Sequence, residues 1–188
     1  MTRRETLTIA ARVFAQNGYH AASLDLVSDQ LGVTRQALYY HFRSKGEILG
    51  ALFDLAMESL ESAIAASEPD ADGSRFLAML RAHLSVVVAD TDLAALLVHE
   101  RAEVAKLPGL DAVARRRAYI GRFVAAYEED ITAGVVRPLP PESVVACLIA
   151  AVNGVSSWYQ TDARASEVAA TVYEMVSSGV LRSSSSSS

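Results

Sequence analysis

Arg35, Gln36, Tyr39 and Tyr40 fall in one short stretch, on the outer side or the margins of what reads as a helix from Arg35 to Phe42. A guanidinium is a planar fork of donors that matches the O6 and N7 acceptors of guanine, and a glutamine amide matches adenine in the same way. Arg35 and Gln36 occupy the first turn, the part of such a helix that meets base edges in a major groove. A phosphate contact or plain solvation is the alternative for each. The hydroxyls of Tyr39 and Tyr40 sit at the height of the phosphates, with helix packing as the alternative. Ser23 and Thr34 add hydroxyls beside free helix N–H groups, which also suit a phosphate. His41 is read as a packing and hydrogen-bonding residue of the same small unit.

These side chains need a frame, and SLDLVSDQLGVTRQALYYHFRSK, from Ser23 to Lys45, supplies one. Ser23 is a helix cap, and Leu24, Val27 and Leu31 follow at helical spacing. Gly32 ends that helix, because glycine takes the left-handed backbone without a steric penalty. Val33 plugs the corner, Thr34 caps the next helix, and Leu38 and Phe42 turn inward. Helix, short turn and a second helix with a polar, aromatic and basic outer face describe a helix-turn-helix. Upstream, Thr2 to Gln16 reads as a first helix with an apolar stripe of Leu7, Ala10, Ala11 and Phe14, ended by Asn17-Gly18.

The stretch GVTRQALYYHFRSKGEIL closely resembles the DNA-binding segment of the tetracycline-repressor (TetR) family of transcriptional regulators. The matching features are Gly32-Val33-Thr34, then Leu38-Tyr39-Tyr40-His41-Phe42, then Ser44-Lys45, with FAQNGYHAAS upstream. The resemblance covers the first quarter of the chain; beyond about Leu60 it is one of layout. It implies phosphate contacts for Tyr39 and Lys45, the lysine acting together with the free N–H groups that begin the following helix.

The net charge of −5 argues against DNA until its distribution is read. Residues 1–46 hold six basic against three acidic residues, a net +3, and the remainder holds eleven against nineteen, a net −8. A basic end on an acidic body presents one end to phosphate. Hydrophobic residues make up 51% of the chain, enough for a substantial core. No apolar run is long enough to span a bilayer, no signal peptide is visible, and the single Cys147 excludes an intrachain disulfide. A cytoplasmic protein with no membrane partner is expected.

From Ser44 onward the periodicity predicts only helices. One runs from the Ser44–Glu47 capping-box spacing to about Ala66, then come Ser74–Ala89, Leu93–Lys106, Asp111–Ala133, Pro141–Tyr159 and Ala165–Val180. The fold class is therefore all-α, in three parts. Residues 1–46 form a helix-turn-helix DNA-binding domain and 47–182 a helical effector-binding and dimerisation domain. Residues 183–188 are a serine tail, disordered or an artefact. His83, His99, Glu100, Tyr119, Tyr127, Asn153 and Trp158 are candidates for the wall of a ligand pocket, with ordinary packing as the alternative. Tyr159 is a further candidate, and Arg115-Arg116-Arg117 meets either an anion or solvent. The helix from Pro141 is apolar around most of its circumference, so Leu148, Val152 and Val155, with Val168, Val172 and Met175 of the last helix, are the candidate dimer interface. The resemblance also implies that these helices form a four-helix bundle between two chains.

His99-Glu100-Arg101-Ala102-Glu103 has the start of the zinc-protease pattern but no second histidine, so no metal site is expected. No Ser/His/Asp constellation is supported, no catalytic residue is assigned, and no cofactor is expected beyond an unknown small-molecule effector. The reading is a homodimeric regulator, a repressor that binds operator DNA and is released by that effector. A helix-turn-helix used for protein contacts and a helical enzyme are the alternatives.

Overall fold

The structure is a computed structural model that describes residues 2–158 and 164–181, without the side chains of 157, 158, 164 and 165. Tyr159 and the serine tail therefore lie outside the described residues. Ten helices are described: α1 (Arg3–Asn17), α2 (Leu24–Leu31), α3 (Arg35–His41), α4 (Lys45–Ala66), α5 (Arg75–Ala89), α6 (Thr91–His99), α7 (Arg101–Val104), α8 (Ala112–Thr132), α9 (Pro141–Trp158) and α10 (Arg164–Val180). Among the described residues none is long and apolar enough to cross a membrane by itself.

Local chemistry sets most of the helix starts. Thr2 and Glu5 close a full capping box on α1: Thr2 N–H donates to Glu5 Oε2 at 2.6 Å and Glu5 N–H to Thr2 Oγ1 at 3.2 Å. Ser23, Thr34, Ser44, Ser74, Asp90 and Asp111 each accept an N–H from the first turn of their helix. At Ser44 the box is altered, since Glu47 accepts from the N–H of Arg43 at 2.8 Å. Gly32 adopts φ 66°, ψ 30°, and its N–H and that of Val33 return to the last carbonyls of α2.

The helix predicted over Leu93–Lys106 is broken in two. The break falls at Glu100, whose φ of −94° and ψ of 21° leave the helical region. Its carboxylate accepts the N–H of Tyr19 at 3.4 Å, so a long-range contact holds the residue where periodicity alone predicts continuation.

One apolar core runs from Leu7 of α1 to Val180 of α10. α4 belongs to both ends of it. It packs on α1 near its start and on α5 further along, so the boundary expected between residues 46 and 47 falls inside its first turn. Gly46 and Gly50 let Leu107 lie against this helix; a Cβ at Gly46 would meet Leu107 Cδ2 at 3.3 Å. At the far end, Val136 pairs with Leu181 in an isolated bridge, and the Arg137 side chain donates to the carbonyl of Gly179 at 2.9 Å.

A buried carboxylate joins α8 to α5. Asp130, 4% exposed, accepts from Ser74 Oγ at 2.6 Å, from Arg75 N–H at 3.1 Å and from Phe76 N–H at 3.0 Å. It supplies negative charge at the positive end of α5 and pairs donors that the helix leaves orphaned. Asp130→Ala strands those donors in the interior, so the loss of folding stability is expected to be about 3 kcal/mol. Urea denaturation measures it, and a loss below about 1 kcal/mol would mean that water replaces the carboxylate there.

Candidate nucleic-acid interface

Leu38, fully buried, and Phe42, 2% exposed, tie α3 into the apolar core, and α3 packs on α2. That leaves Arg35, Gln36, Tyr39 and Tyr40 exposed on the other side, Tyr40 by 87%. The basic end predicted from the charge count is thus a surface built around α3.

Within it, Arg35 is held in place before any partner arrives. Its Nη1 donates to Asp25 Oδ2 of α2 at 3.0 Å and its Nη2 to the Tyr39 hydroxyl at 3.0 Å. The guanidinium also lies 5.2 Å from the Tyr39 ring centroid. The bond to Tyr39, then the charge of Asp25, raise the arginine's hold on its proton. Two of five donors are engaged, so three remain for a ligand. Sequence reasoning missed Asp25; an acidic residue on the other helix of the motif, ten positions before an arginine, is the signal that marks it. Ser23 and Thr34 sit at their helix starts with their hydroxyls accepting from Leu26 N–H and Ala37 N–H, both at 3.2 Å. Their hydroxyl protons remain available to a phosphate oxygen.

Lys45 is placed differently from the expectation. Its ammonium does not project from the surface but donates to three backbone carbonyls of the α1–α2 loop: Tyr19 at 2.9 Å, His20 at 2.8 Å and Ala22 at 3.3 Å. It also lies 4.7 Å from the Tyr19 ring centroid. An ammonium has three donors, so all three are used. The same loop is held from the body: Glu100 takes Tyr19 N–H, and Glu103 lies 3.8 Å from His20 while pairing with Lys106 at 2.6 Å. Burial, then Glu103 and Glu100, raise the pKa of the Tyr19 phenol.

Of the candidate pocket residues, three come together. His83 Nδ1 lies 2.8 Å from the Tyr119 hydroxyl and Nε2 lies 3.1 Å from Asn153 Oδ1. With the amide oxygen facing it, Nε2 donates, and Nδ1 accepts the phenol proton. This neutral tautomer is fully satisfied, and the rings of Tyr119 and Phe123 pack about it at 5.8 and 6.1 Å. The others are elsewhere. His99 is exposed at the end of α6, and Glu100 faces the α1–α2 loop. Tyr127 is fully buried against Phe76 and donates to the carbonyl of Arg137 at 2.9 Å. The Trp158 side chain lies outside the described residues. A cleft of about 270 Å³ opens between α5 and α8, but it is lined by Arg75, Met79, Arg122, Ala125, Ala126 and Glu129, none of them a sequence candidate for the pocket. Among the described residues no three His, Cys, Asp or Glu side chains gather as a metal site.

The candidate interface residues also need correction. Val152 is fully buried and Val155 is 2% exposed, both inside their own chain, because α9 packs on α5, α6, α8 and α10 at once. Leu148, Val168 and Val172 are partly buried against the same core, and only Met175, 69% exposed, points freely outward. The outer side of α9 is made instead by Ala146, Cys147, Ala150 and Ala151.

Burial lowers the pKa of His83 from 6.5 to about 4, against a smaller opposing pull from Asn153. The unfolded chain takes up that proton near pH 6.5 and the folded chain does not, so stability is full above this pH and falls toward pH 4. The total loss is expected to be about 3 kcal/mol. The deficit of His83→Gln relative to the parent, read by urea denaturation, should therefore shrink between neutral pH and about pH 4.5. Parallel curves for the two proteins would contradict a neutral buried imidazole.

With this geometry in view, the likenesses to known proteins fall into place. The family model described as bacterial regulatory proteins, tetR family, matches residues 7–52, which hold most of α1, all of α2 and α3, and the start of α4. The model described as tetracyclin repressor-like, C-terminal domain, matches residues 70–180. The HTH-type transcriptional activator FasR of Mycolicibacterium smegmatis is 39% identical over 62 residues, 33% of this chain. The chain spans only 28% of that relative's length. The ketosteroid transcriptional regulator KstR2 of Mycobacterium tuberculosis superposes with a TM-score of 0.82 at 20% identity, covering 96% of this chain and 95% of that one. AibR, solved in complex with isovaleryl coenzyme A and operator DNA, superposes with a TM-score of 0.76 at 22% identity, covering 92% and 96%. The two structures share the fold over nearly their whole length, the two family models between them cover both the α3 unit and the helical body, and the chain belongs to the TetR family of bacterial regulatory proteins.

Proposed function

We propose that the chain is a sequence-specific DNA-binding transcriptional regulator that works as a homodimer in the cytoplasm and answers to a small-molecule effector. The observation that carries this reading is the exposed face of α3, where Arg35 is pre-positioned by Asp25 and Tyr39 beside the exposed side chain of Gln36. Arg35 and Gln36 read base edges; Tyr39, Tyr40, Ser23 and Thr34 grip phosphates. Lys45 acts one step back: it holds the α1–α2 loop, and so sets the angle at which α2 and α3 meet the groove. Catalysis and a bound cofactor have no part in this reading. FasR carries the name of an activator and AibR was solved with both a ligand and operator DNA, which supports a ligand-responsive DNA binder and leaves the sign of regulation to experiment. The His83–Tyr119–Asn153 cluster is the polar lining that an effector entering between α5, α8 and α9 would meet, once it parts those side chains.

One helix-turn-helix reads only a few base pairs, so two copies are required for a useful specificity. The surface that supports dimerisation is the small-residue side of α9 with Met175 of α10. A single charge there, Ala150→Glu, is expected to give folded monomers; light scattering and circular dichroism read the outcome. A parent protein that is a helical monomer at micromolar concentration refutes the dimer.

Selection from a random duplex pool is expected to return a two-fold symmetric sequence. In Arg35→Ala and Gln36→Ala, preference at particular positions should relax by about 1–3 kcal/mol. Unchanged preferences in both variants would move sequence reading off these residues. Lys45→Ala should weaken binding to every sequence yet leave the dependence on salt as it was, because its ammonium faces carbonyls. A salt slope reduced by about one unit would return Lys45 to a phosphate.

A further inference from the structure

The basic residues at the DNA-facing end are used unequally. Lys45 commits its ammonium to loop carbonyls, and Arg35 is tied to Asp25 and Tyr39. Arg3 is placed in neither way. It is the first residue of α1, exposed, and outside the helix-turn-helix. Its guanidinium lies 5.3 Å from the ring centroid of Phe42, the residue that ends α3. Phe42 is 2% exposed, so its ring is fixed in the core and makes a firm seat. A cation from α1 is thereby held at the C-terminal end of α3.

Among the described residues the Arg3 guanidinium has no hydrogen bond and no carboxylate partner. The acidic side chains closest to it and to Arg43 in sequence are turned to the backbone instead. Glu5 accepts the N–H of Thr2 at 2.6 Å, and Glu47 that of Arg43 at 2.8 Å. Contact with an aromatic ring consumes none of the five guanidinium donors, so all five are open to an incoming acceptor. The place matters as much as the charge. α3 has seven residues, about 10 Å at ~1.5 Å per residue, and a major groove is about 12 Å wide. With Arg35 and Gln36 of its first turn at base edges, the other end of the helix comes to the rim of the groove, where the phosphates are. Tyr40, His41 and Arg43 are exposed at that same end.

We infer that Arg3 binds a backbone phosphate of the duplex, at the rim of the groove reached by the far end of α3, from its seat on the Phe42 ring. This rests on the regulator reading and extends the DNA-binding surface from the helix-turn-helix to α1. The seat fixes the guanidinium before DNA arrives, so little side-chain order is lost on binding. Helix α1 also packs on α6. A phosphate held by Arg3 therefore joins the duplex to a helix that is in direct contact with the body, as well as to α3.

The test compares the full-length parent with Arg3→Gln, Arg3→Lys and Arg117→Gln on the selected duplex, between about 50 and 200 mM salt. Arg3 and Arg117 are both exposed, so the variants keep the fold, which circular dichroism checks. In Arg3→Gln the plot of log affinity against log salt should be shallower by about one unit for each chain on the duplex. Arg3→Lys, which keeps the charge, should retain the parent's slope, and so should Arg117→Gln on the distant α8. Selection with Arg3→Gln should return the parent's sequence. An unchanged slope in Arg3→Gln overturns the phosphate contact even where affinity falls, because a cation that only covers Phe42 releases no counterions. An equal loss of slope in Arg117→Gln assigns the effect to net charge and overturns it too. Relaxed preference at one operator position would assign Arg3 to a base instead. A parent that binds no duplex overturns the regulator reading and this contact together; a steep parent with an unchanged Arg3→Gln overturns the contact alone.

Discussion

The ammonium of Lys45 is the contact on which the DNA-facing end depends. Bonds from an ionised donor contribute about 1.5–3 kcal/mol each, and here one side chain makes three of them to carbonyls of a single loop. That loop leaves α1 through Gly18, at φ 77°, and enters α2 at Ser23, so gathering its carbonyls sets the angle between the two helices. Lys45 is also the first residue of α4, the helix that continues into the body. One cation therefore ties together α1, α2 and the helix that leads away from them, and α3 follows because Leu38 and Phe42 are buried in the same cluster. The face of α3 can then be polar and unpacked without being loose.

Arg35 is organised by a similar economy. A long flexible side chain that must order on binding loses affinity for it. Asp25 and Tyr39 fix the guanidinium in the free protein while leaving three donors unused. The acidic neighbour also lowers the net charge of the surface, which weakens attachment to phosphate in general and, on the proposed reading of Arg35, favours sites where its remaining donors find a base edge.

The parts of this molecule that depend on neighbours in sequence were legible in it. Ser23, Thr34 and Ser44 announce their helix starts, Gly32 its stop, and Leu38 and Phe42 their inward side, because capping and periodicity are local. Lys45 was placed at the right helix start but with its ammonium aimed outward, since nothing in the sequence shows that carbonyls twenty-three to twenty-six residues earlier converge on it. Glu100 was lost for the same reason: its partner is eighty-one residues away. Val152 looked available because α9 is apolar almost all round, yet four other helices pack on it. What remains outside there is alanine and cysteine, residues whose small size gives them little weight in a hydrophobic pattern. His83, Tyr119 and Asn153 were picked as polar residues among apolar ones; that they satisfy one another became visible only when α5, α8 and α9 were assembled.

The central claim is that the face of α3 grips duplex DNA through phosphates as well as bases. Measuring the affinity of the full-length chain for its selected duplex between about 50 and 200 mM salt tests it most directly. A dimer that neutralises several phosphates on each half-site should lose about a thousandfold or more in affinity over that range. An affinity that stays level as salt rises would contradict the claim and assign this helix-turn-helix to a protein partner.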